Sequence, residues 1–204
     1  MKYIIEHMEA GFTEWVILEY SQIIRDIGSE NLILTSLPKE ITEKEIPKRL
    51  LDLGLQWTNK DVSEVIGETN KENVCLLDPA AKSDLVPEDS SNFEYFVFGG
   101  ILGDHPPRDR TGELREKYGF VGKRLGNLQM TTDTAVRTTQ MIISKKTKFE
   151  DIKFIDYPEI RFNKHEATEM PFRYILDDEG TPILPTGMID LIKKDNEKTL
   201  DDFF

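Results

Sequence analysis

Residues 99–110 read GGILGDHPPRDR, three glycines followed at once by Asp104, His105, two prolines and a run of charge. Glycine lets a backbone approach a ligand closely or take positive φ, and an Asp beside a His can hold or move a proton. The same spacing also suits an ordinary tight turn. Two further polar segments follow apolar runs, LLDPAAK at 76–82 and KRLGNLQMTTDTA at 123–135. If those runs are parallel strands, the three segments meet at the carboxyl edge of one sheet, where open α/β sheets bind ligands. Other chemistries lack their residues. GxxxxGK[ST] is absent, and GGxxG has the wrong spacing for a dinucleotide fingerprint. His7, His105 and His165 are scattered and form no zinc cluster with Cys75. Ser21, Ser63 and Ser83 sit in no GxSxG elbow. What remains is a cofactor gripped by exposed backbone, without a phosphate cradle.

The elements that must position these loops are legible as patterns. YIIEHM at 3–8, NLILTSL at 31–37, Val62–Ile66, Val74–Leu77 and FEYFVFGGIL at 93–102 read as strands, the last as a buried central one. Helices are expected from Phe12 to Ile27, stopped by Gly28, and from Thr42, capped with Glu45, to Gly54. Two more follow at Thr111–Tyr118, ended by Gly119, and from one of Thr131, Thr132 or Asp133 through TAVRTTQMIISK. FVGKRLGNLQM is a strand or extended loop. This alternation predicts an α/β fold with a mostly parallel sheet. Beyond 148 the pattern changes to a proline-broken strand, FEDIKFIDYPEIRF, and a hairpin, MPFRYILDDEGTPILP, with DDEG as its turn. The expected organisation is a core over 1–148 and a small β-rich C-terminal extension over 149–204 with an acidic tail.

Composition sets limits on partners. The chain has 204 residues and a net charge of −12. It carries no basic stripe for nucleic acid and no apolar run near the ~20 residues that span a bilayer. Its acidity favours basic partners, or merely solubility. One cysteine, Cys75, in an apolar run reads as core, and the lack of a disulfide pair or leader-like N-terminus suggests the cytoplasm.

IIEHMEAGFTEWVILEY (4–20), LTSL (34–37), FVFGGILGDHPPRDRTGELR (96–115), RLGNLQMTTDTAVRTTQMI (124–142), IDYPEIRF, HEATEMPFRYI and GTPILPTGM together cover nearly the whole chain. This set resembles a small family of SPOUT-class methyltransferases, whose best-known member is a yeast enzyme that methylates an arginine of a small-subunit ribosomal protein. The resemblance implies a SPOUT fold with a C-terminal trefoil knot and S-adenosylmethionine bent within it, S-adenosylhomocysteine being the product. It places Gly99, Gly100, Ile101, Leu102 and Gly103 on one wall, and Leu125, Gly126, Asn127, Leu128, Gln129 and Met130 in the knotted loop. Thr134 stands near the closing helix, and Leu77, Asp78 and Pro79 on the adenine side; no metal is implied. The bland alternative for Leu125 and Leu128 is ordinary core.

A guanidinium stays protonated at neutral pH and presents a planar fork of donors, so an arginine methyltransferase needs carboxylates to grip it and a proton acceptor. Asp104 is the first candidate, His105 a proton relay, and Glu19 on the first helix a second acid, with Glu6, Asp156, Glu159 and Glu169 in reserve. The expected function is monomethylation of a basic small-subunit ribosomal protein by a monomeric enzyme, without membrane or direct nucleic-acid binding. Two readings stand beside it. A SPOUT RNA methyltransferase acting on rRNA or tRNA could use a local basic patch of Arg108, Arg110, Arg115, Lys123 and Arg124. A non-catalytic ribosomal-protein binding factor would keep the pocket alone.

Overall fold

Six parallel strands order themselves β3-β2-β1-β5-β4-β6: β1 (Lys2–His7), β2 (Leu32–Thr35), β3 (Gln56–Trp57), β4 (Val74–Leu77), β5 (Tyr95–Gly100) and β6 (Val121–Lys123). The computed structural model describes residues 1–9, 11–100, 110–163 and 166–201, with backbone alone at 68, 69, 110 and 197–201. The strands are apolar on both faces because both faces are covered. Tyr3, Ile5, Leu34, Cys75, Leu77, Phe96 and Phe98 join one buried cluster, which also takes residues of α1 (Glu14–Ile27) and α5 (Thr132–Ile143). Ile4, Val74, Leu76 and Val97 point the other way, onto α3 (Val62–Ile66) and α4 (Arg110–Tyr118). Alternate residues of one strand thus serve two cores, as the period of two requires.

Helix ends follow local chemistry. Thr13 caps α1, accepting from the Val16 amide, and Gly28 closes it at φ 83°. Thr131 is the residue before α5. The 42–54 helix is broken: Thr42 and Glu45 do form their reciprocal cap, but over a single 3-10 turn, and after Pro47 only α2 (Lys48–Asp52) is helical. Val62–Ile66, expected as a strand, is helix α3. Asp61 accepts from the Glu64 amide and Glu64 returns to the Asp61 N–H, and this capping box overrides the β-branched composition.

The chain beyond α5 builds two small antiparallel pairs, β7 (Phe154–Asp156) with β10 (Arg173–Ile175) and β8 (Glu159–Arg161) with β9 (Ala167–Glu169). The DDEG turn is present in short form, with the Ile183 amide donating to the Ile175 carbonyl across it (2.8 Å). A final helix, α6 (Met188–Asp201), has no counterpart in the sequence reading. Its Met188 and Ile192 pack with Phe172, Tyr174, Met170 and Leu18 of α1. The C-terminal region therefore covers an apolar face of α1. Among the described residues no helix is long and apolar enough to cross a membrane.

Candidate active site

The ends of β4 and β5, the loop after β6 and the first turns of α5 surround a cleft of about 640 Å³, open mouth included. Leu77, Asp78 and Pro79 come from the first loop, Phe98 and Gly99 from the second, and Leu125, Gly126, Leu128, Gln129 and Met130 from the third. Thr111, Thr132 and Ala135 complete the wall among the described residues. All three strand-end segments singled out in the sequence converge here. Of the expected cofactor residues, Gly100, Asn127 and Thr134 do not line the cleft. Gly100 is buried behind it, Asn127 is exposed, and Thr134 is fully buried, accepting from the Thr131 hydroxyl (2.8 Å). Ile101, Leu102, Gly103, Asp104, His105 and Arg108 lie outside the described residues. Phe98, Thr111, Thr132 and Ala135 were not anticipated; Thr132 and Ala135 carry the i, i+3 signal of one helix face.

Two glycines are fixed by what a side chain there would meet. A Cβ on Gly100 would stand 2.9 Å from the Tyr20 hydroxyl and 3.0 Å from the Glu6 carbonyl oxygen. Gly126 sits at φ +72°, and a Cβ there would meet Phe149 at 2.7 Å. The answer to the glycine-rich strand end is thus close packing of β5 on β1, not only a turn. Asp78 is buried with its carboxylate bound by Arg115 and by the Ala80 amide (2.9 Å). Leu77, Phe98, Leu125, Leu128, Met130 and Ala135 offer apolar surface. Such walls with a few backbone polar groups fit a cofactor with apolar faces better than a phosphate-rich one.

Glu6, held in reserve as an acid, is a structural hub. It is 3% exposed and accepts from Thr35 (2.5 Å), Ser36 (2.6 Å), the Val62 amide (3.2 Å) and Tyr118 (2.9 Å). His7, beside Gly100 in register, shares a 3.0 Å hydrogen bond between Nδ1 and the Tyr20 hydroxyl and stacks on Phe12. Burial pushes its pKa down to about 4, so it is neutral at pH 7. Asp156 is paired with Arg173 (2.6 Å), while Glu159 and Glu169 face each other across an exposed hairpin.

Glu19 lies off the cleft wall, fully buried on α1. Burial, then the neighbouring Asp133 carboxylate, raise its pKa well above the carboxylate range; the Trp15 indole and the Asp133 and Thr132 amides oppose them in part. Asp133, also fully buried, is pushed up to about 6 by burial, against the pull of nearby Thr131 and Arg137. The Thr131 hydroxyl donates to Thr134 and Arg137 is committed to Asp26 (2.6 Å), so neither closes a hydrogen bond on Asp133.

The chain matches the family described as "Protein arginine N-methyltransferase SFM1-like" over residues 2–199. It is 67% identical to "Protein arginine N-methyltransferase SFM1" of Saccharomyces cerevisiae over 211 aligned residues, covering 99% of each chain. Crystal structures of the yeast arginine methyltransferase SFM1 complexed with SAM and with SAH superpose at TM-score 0.91 and 66% identity. The SAM complex covers 95% of this chain and 90% of that one, the SAH complex 94% of each. The dual specific Trm10 from Thermococcus kodakaraensis, 22% identical over 74% of this chain and 96% of that one at TM-score 0.54, shares the fold alone.

Proposed function

The chain belongs to the SFM1-like family of protein arginine N-methyltransferases, and from that premise we propose that it adds a single methyl group to an arginine of a basic small-subunit ribosomal protein. It is a methyltransferase of SPOUT fold dependent on S-adenosylmethionine. The observation that carries the reading is the cleft itself, built from three strand-end loops and lined by bare backbone at Gly99 and Gly126. When bound, S-adenosylmethionine supplies a sulfonium methyl whose transfer to a guanidinium nitrogen forms an N–C bond, leaves the S–C electron pair on sulfur and releases one proton, with S-adenosylhomocysteine as product.

The chain's own residues then have three tasks. Leu77, Pro79, Phe98, Leu125, Leu128 and Met130 exclude water around the cofactor, and backbone groups at Gly99 and Gly126 hold its polar edges. Asp104 and His105, directly after the glycine-rich strand end, are assigned to grip the guanidinium and accept its proton. Asp104→Asn should leave cofactor affinity unchanged while turnover collapses; near-normal turnover removes Asp104 from the mechanism. The SPOUT trefoil knot is assigned to the loop over 125–130, on the strength of the family fold.

Of the five cations on which the RNA-modifying reading rests, the three with described side chains are all paired, while Arg108 and the Arg110 side chain lie outside the description. Arg115 is bound to Asp78, Lys123 to Asp89 (3.1 Å) and Arg124 to Asp84 (2.7 Å). A surface of paired cations offers phosphates little, and the −12 charge repels them. It attracts a basic protein instead. We read the enzyme as a monomer, because its own C-terminal residues cover α1, and as cytoplasmic, because its one cysteine is a free buried thiol suited to a reducing compartment. The test is incubation with methyl-labelled S-adenosylmethionine and small ribosomal subunits, followed by RNase or protease. Protease-sensitive, RNase-resistant label on one protein supports the proposal. RNase-sensitive label overturns it, and binding without labelling reduces the chain to a ribosomal-protein binding factor.

A further inference from the structure

Four buried polar atoms gather between α1, α5 and β10 with no hydrogen bond closed on them, although backbone amides of Thr132, Asp133 and Thr134 lie close to the two acids: Glu19 Oε2, both carboxylate oxygens of Asp133, and the Tyr174 hydroxyl. Their residues are 0%, 0% and 1% exposed. The Tyr174 hydroxyl is close enough to both acids that their charges, after burial, help raise its pKa. Leaving such groups bare in a protein interior is costly, and native chains do so rarely. Glu19 spends one oxygen on the Trp15 indole N–H (2.7 Å), which leaves the other, buried Oε2, to find a partner.

The chemistry of a matching ligand follows from these atoms. It must donate several hydrogen bonds, carry positive charge and fit against aromatic rings. A guanidinium has five N–H donors in a plane and pairs with carboxylates in a fork, whereas an ammonium has three donors and cannot reach four acceptors at once. Trp15, Phe172 and Tyr174 share one apolar cluster and supply the aromatic walls a guanidinium favours. A divalent cation is a poor match, since no three His, Cys, Asp or Glu residues gather among the described residues. Position agrees with chemistry. Asp133 directly follows Thr132 of the cleft wall, and Tyr174 directly follows Arg173, whose amide donates to the carbonyl of Gln129 in the same wall (3.0 Å). Trp15 is half-buried and stands over Glu19 as the outer edge of the cluster.

We propose that Glu19, Asp133 and Tyr174 form the pocket that receives the guanidinium of the substrate arginine, with Trp15 as its outer wall. This rests on the arginine-methyltransferase reading above and adds the residues that recognise the acceptor. It also gives the C-terminal region a role in the site, because β10 contributes Tyr174.

The test compares wild type with Glu19→Gln, Asp133→Asn and Tyr174→Phe, using RNA-free small-subunit ribosomal proteins as the varied substrate and labelled S-adenosylmethionine at saturation. Both carboxamide variants keep shape and should raise KM by about 100-fold, the scale for losing one partner of a buried ion pair. Tyr174→Phe should raise it by roughly 10-fold, as for one hydrogen bond to a charged group. Affinity for S-adenosylhomocysteine should stay within twofold and Tm should not fall. Wild-type KM in both carboxamide variants, or an equal loss of S-adenosylhomocysteine affinity, overturns the pocket while leaving the arginine-methyltransferase reading intact. Wild-type enzyme that labels RNA and no protein overturns both.

Discussion

Replacing Asp133 with Asn should make the protein more stable at neutral pH, and by an amount that vanishes in acid. Asp133 is fully buried and its pKa stands at about 6 against an ordinary 3.8. The folded state therefore binds a proton more tightly than the unfolded chain, so ionising Asp133 opposes folding. Its contribution is fully favourable below the unfolded value and is lost as pH rises through about 6. The shift of roughly 2 pKa units corresponds to about 3 kcal/mol at pH 7.5, falling below about 1 kcal/mol at pH 4. Asn removes the ionisation, keeps the volume and can donate to the free Glu19 oxygen. For a chain of this size the gain corresponds to a Tm increase of ~6–12 °C at pH 7.5. Circular-dichroism melts of both proteins at pH 7.5, 6 and 4 give the result directly; titrations uncoupled from Asp133, such as that of His7, cancel in the difference, while Glu19, released from the Asp133 charge, adds to the gain. A lower Tm for the variant at pH 7.5, or an equal gain at all three pH values, would refute a buried carboxylate strained by its own charge. The predicted combination, higher stability with a weakened substrate KM, is what a pocket built for a cation should yield when the cation is absent.

Other expectations follow from single residues. Gly126→Ala places a Cβ at φ +72° and 2.7 Å from Phe149; calorimetric titration should find S-adenosylhomocysteine affinity reduced at least ~10-fold and stability lowered by about 1–3 kcal/mol. An unchanged affinity would mean the loop does not hold the cofactor. Because burial lowers the His7 pKa from 6.5 to about 4, His7 resists protonation and its stabilisation, present above pH 6.5, is lost as pH falls toward 4. Urea unfolding at pH 7 and 4.5 should register about 2–3 kcal/mol of this loss in wild type and not in His7→Gln. Burial pushes the Cys75 thiol up to about 12, so the native protein should ignore thiol reagents at pH 8, whereas modification at the rate of the urea-unfolded chain would contradict its place in the core.

The sheet was legible because its strands are continuous apolar runs, Ile4–Ile5, Val74–Leu77 and Phe96–Phe98, buried on both faces. The cleft was legible because glycines and polar residues at three strand ends can only gather where a parallel sheet gathers them. Helix α3 was misread from its valines and isoleucine, although Asp61 and Glu64 carry the capping signal. The two-residue strand β3 is too short for a period, and α6 hides in a charged tail whose apolar residues matter only against α1. Asp133 is the instructive case. In TTDTAV it reads as a helix cap, and Thr131 takes that place instead. Its burial depends on Tyr174 and Glu19, residues 41 positions later and 114 earlier in the chain. No local pattern encodes such a meeting.

The most direct measurement is to digest the labelled small-subunit protein from the wild-type reaction and assign the methyl by tandem mass spectrometry. The account predicts one methyl on one arginine side chain, formed about 100-fold more slowly when Glu19→Gln enzyme is used at the same subsaturating substrate concentration. A methyl on lysine, on a terminal amine or on RNA would contradict it.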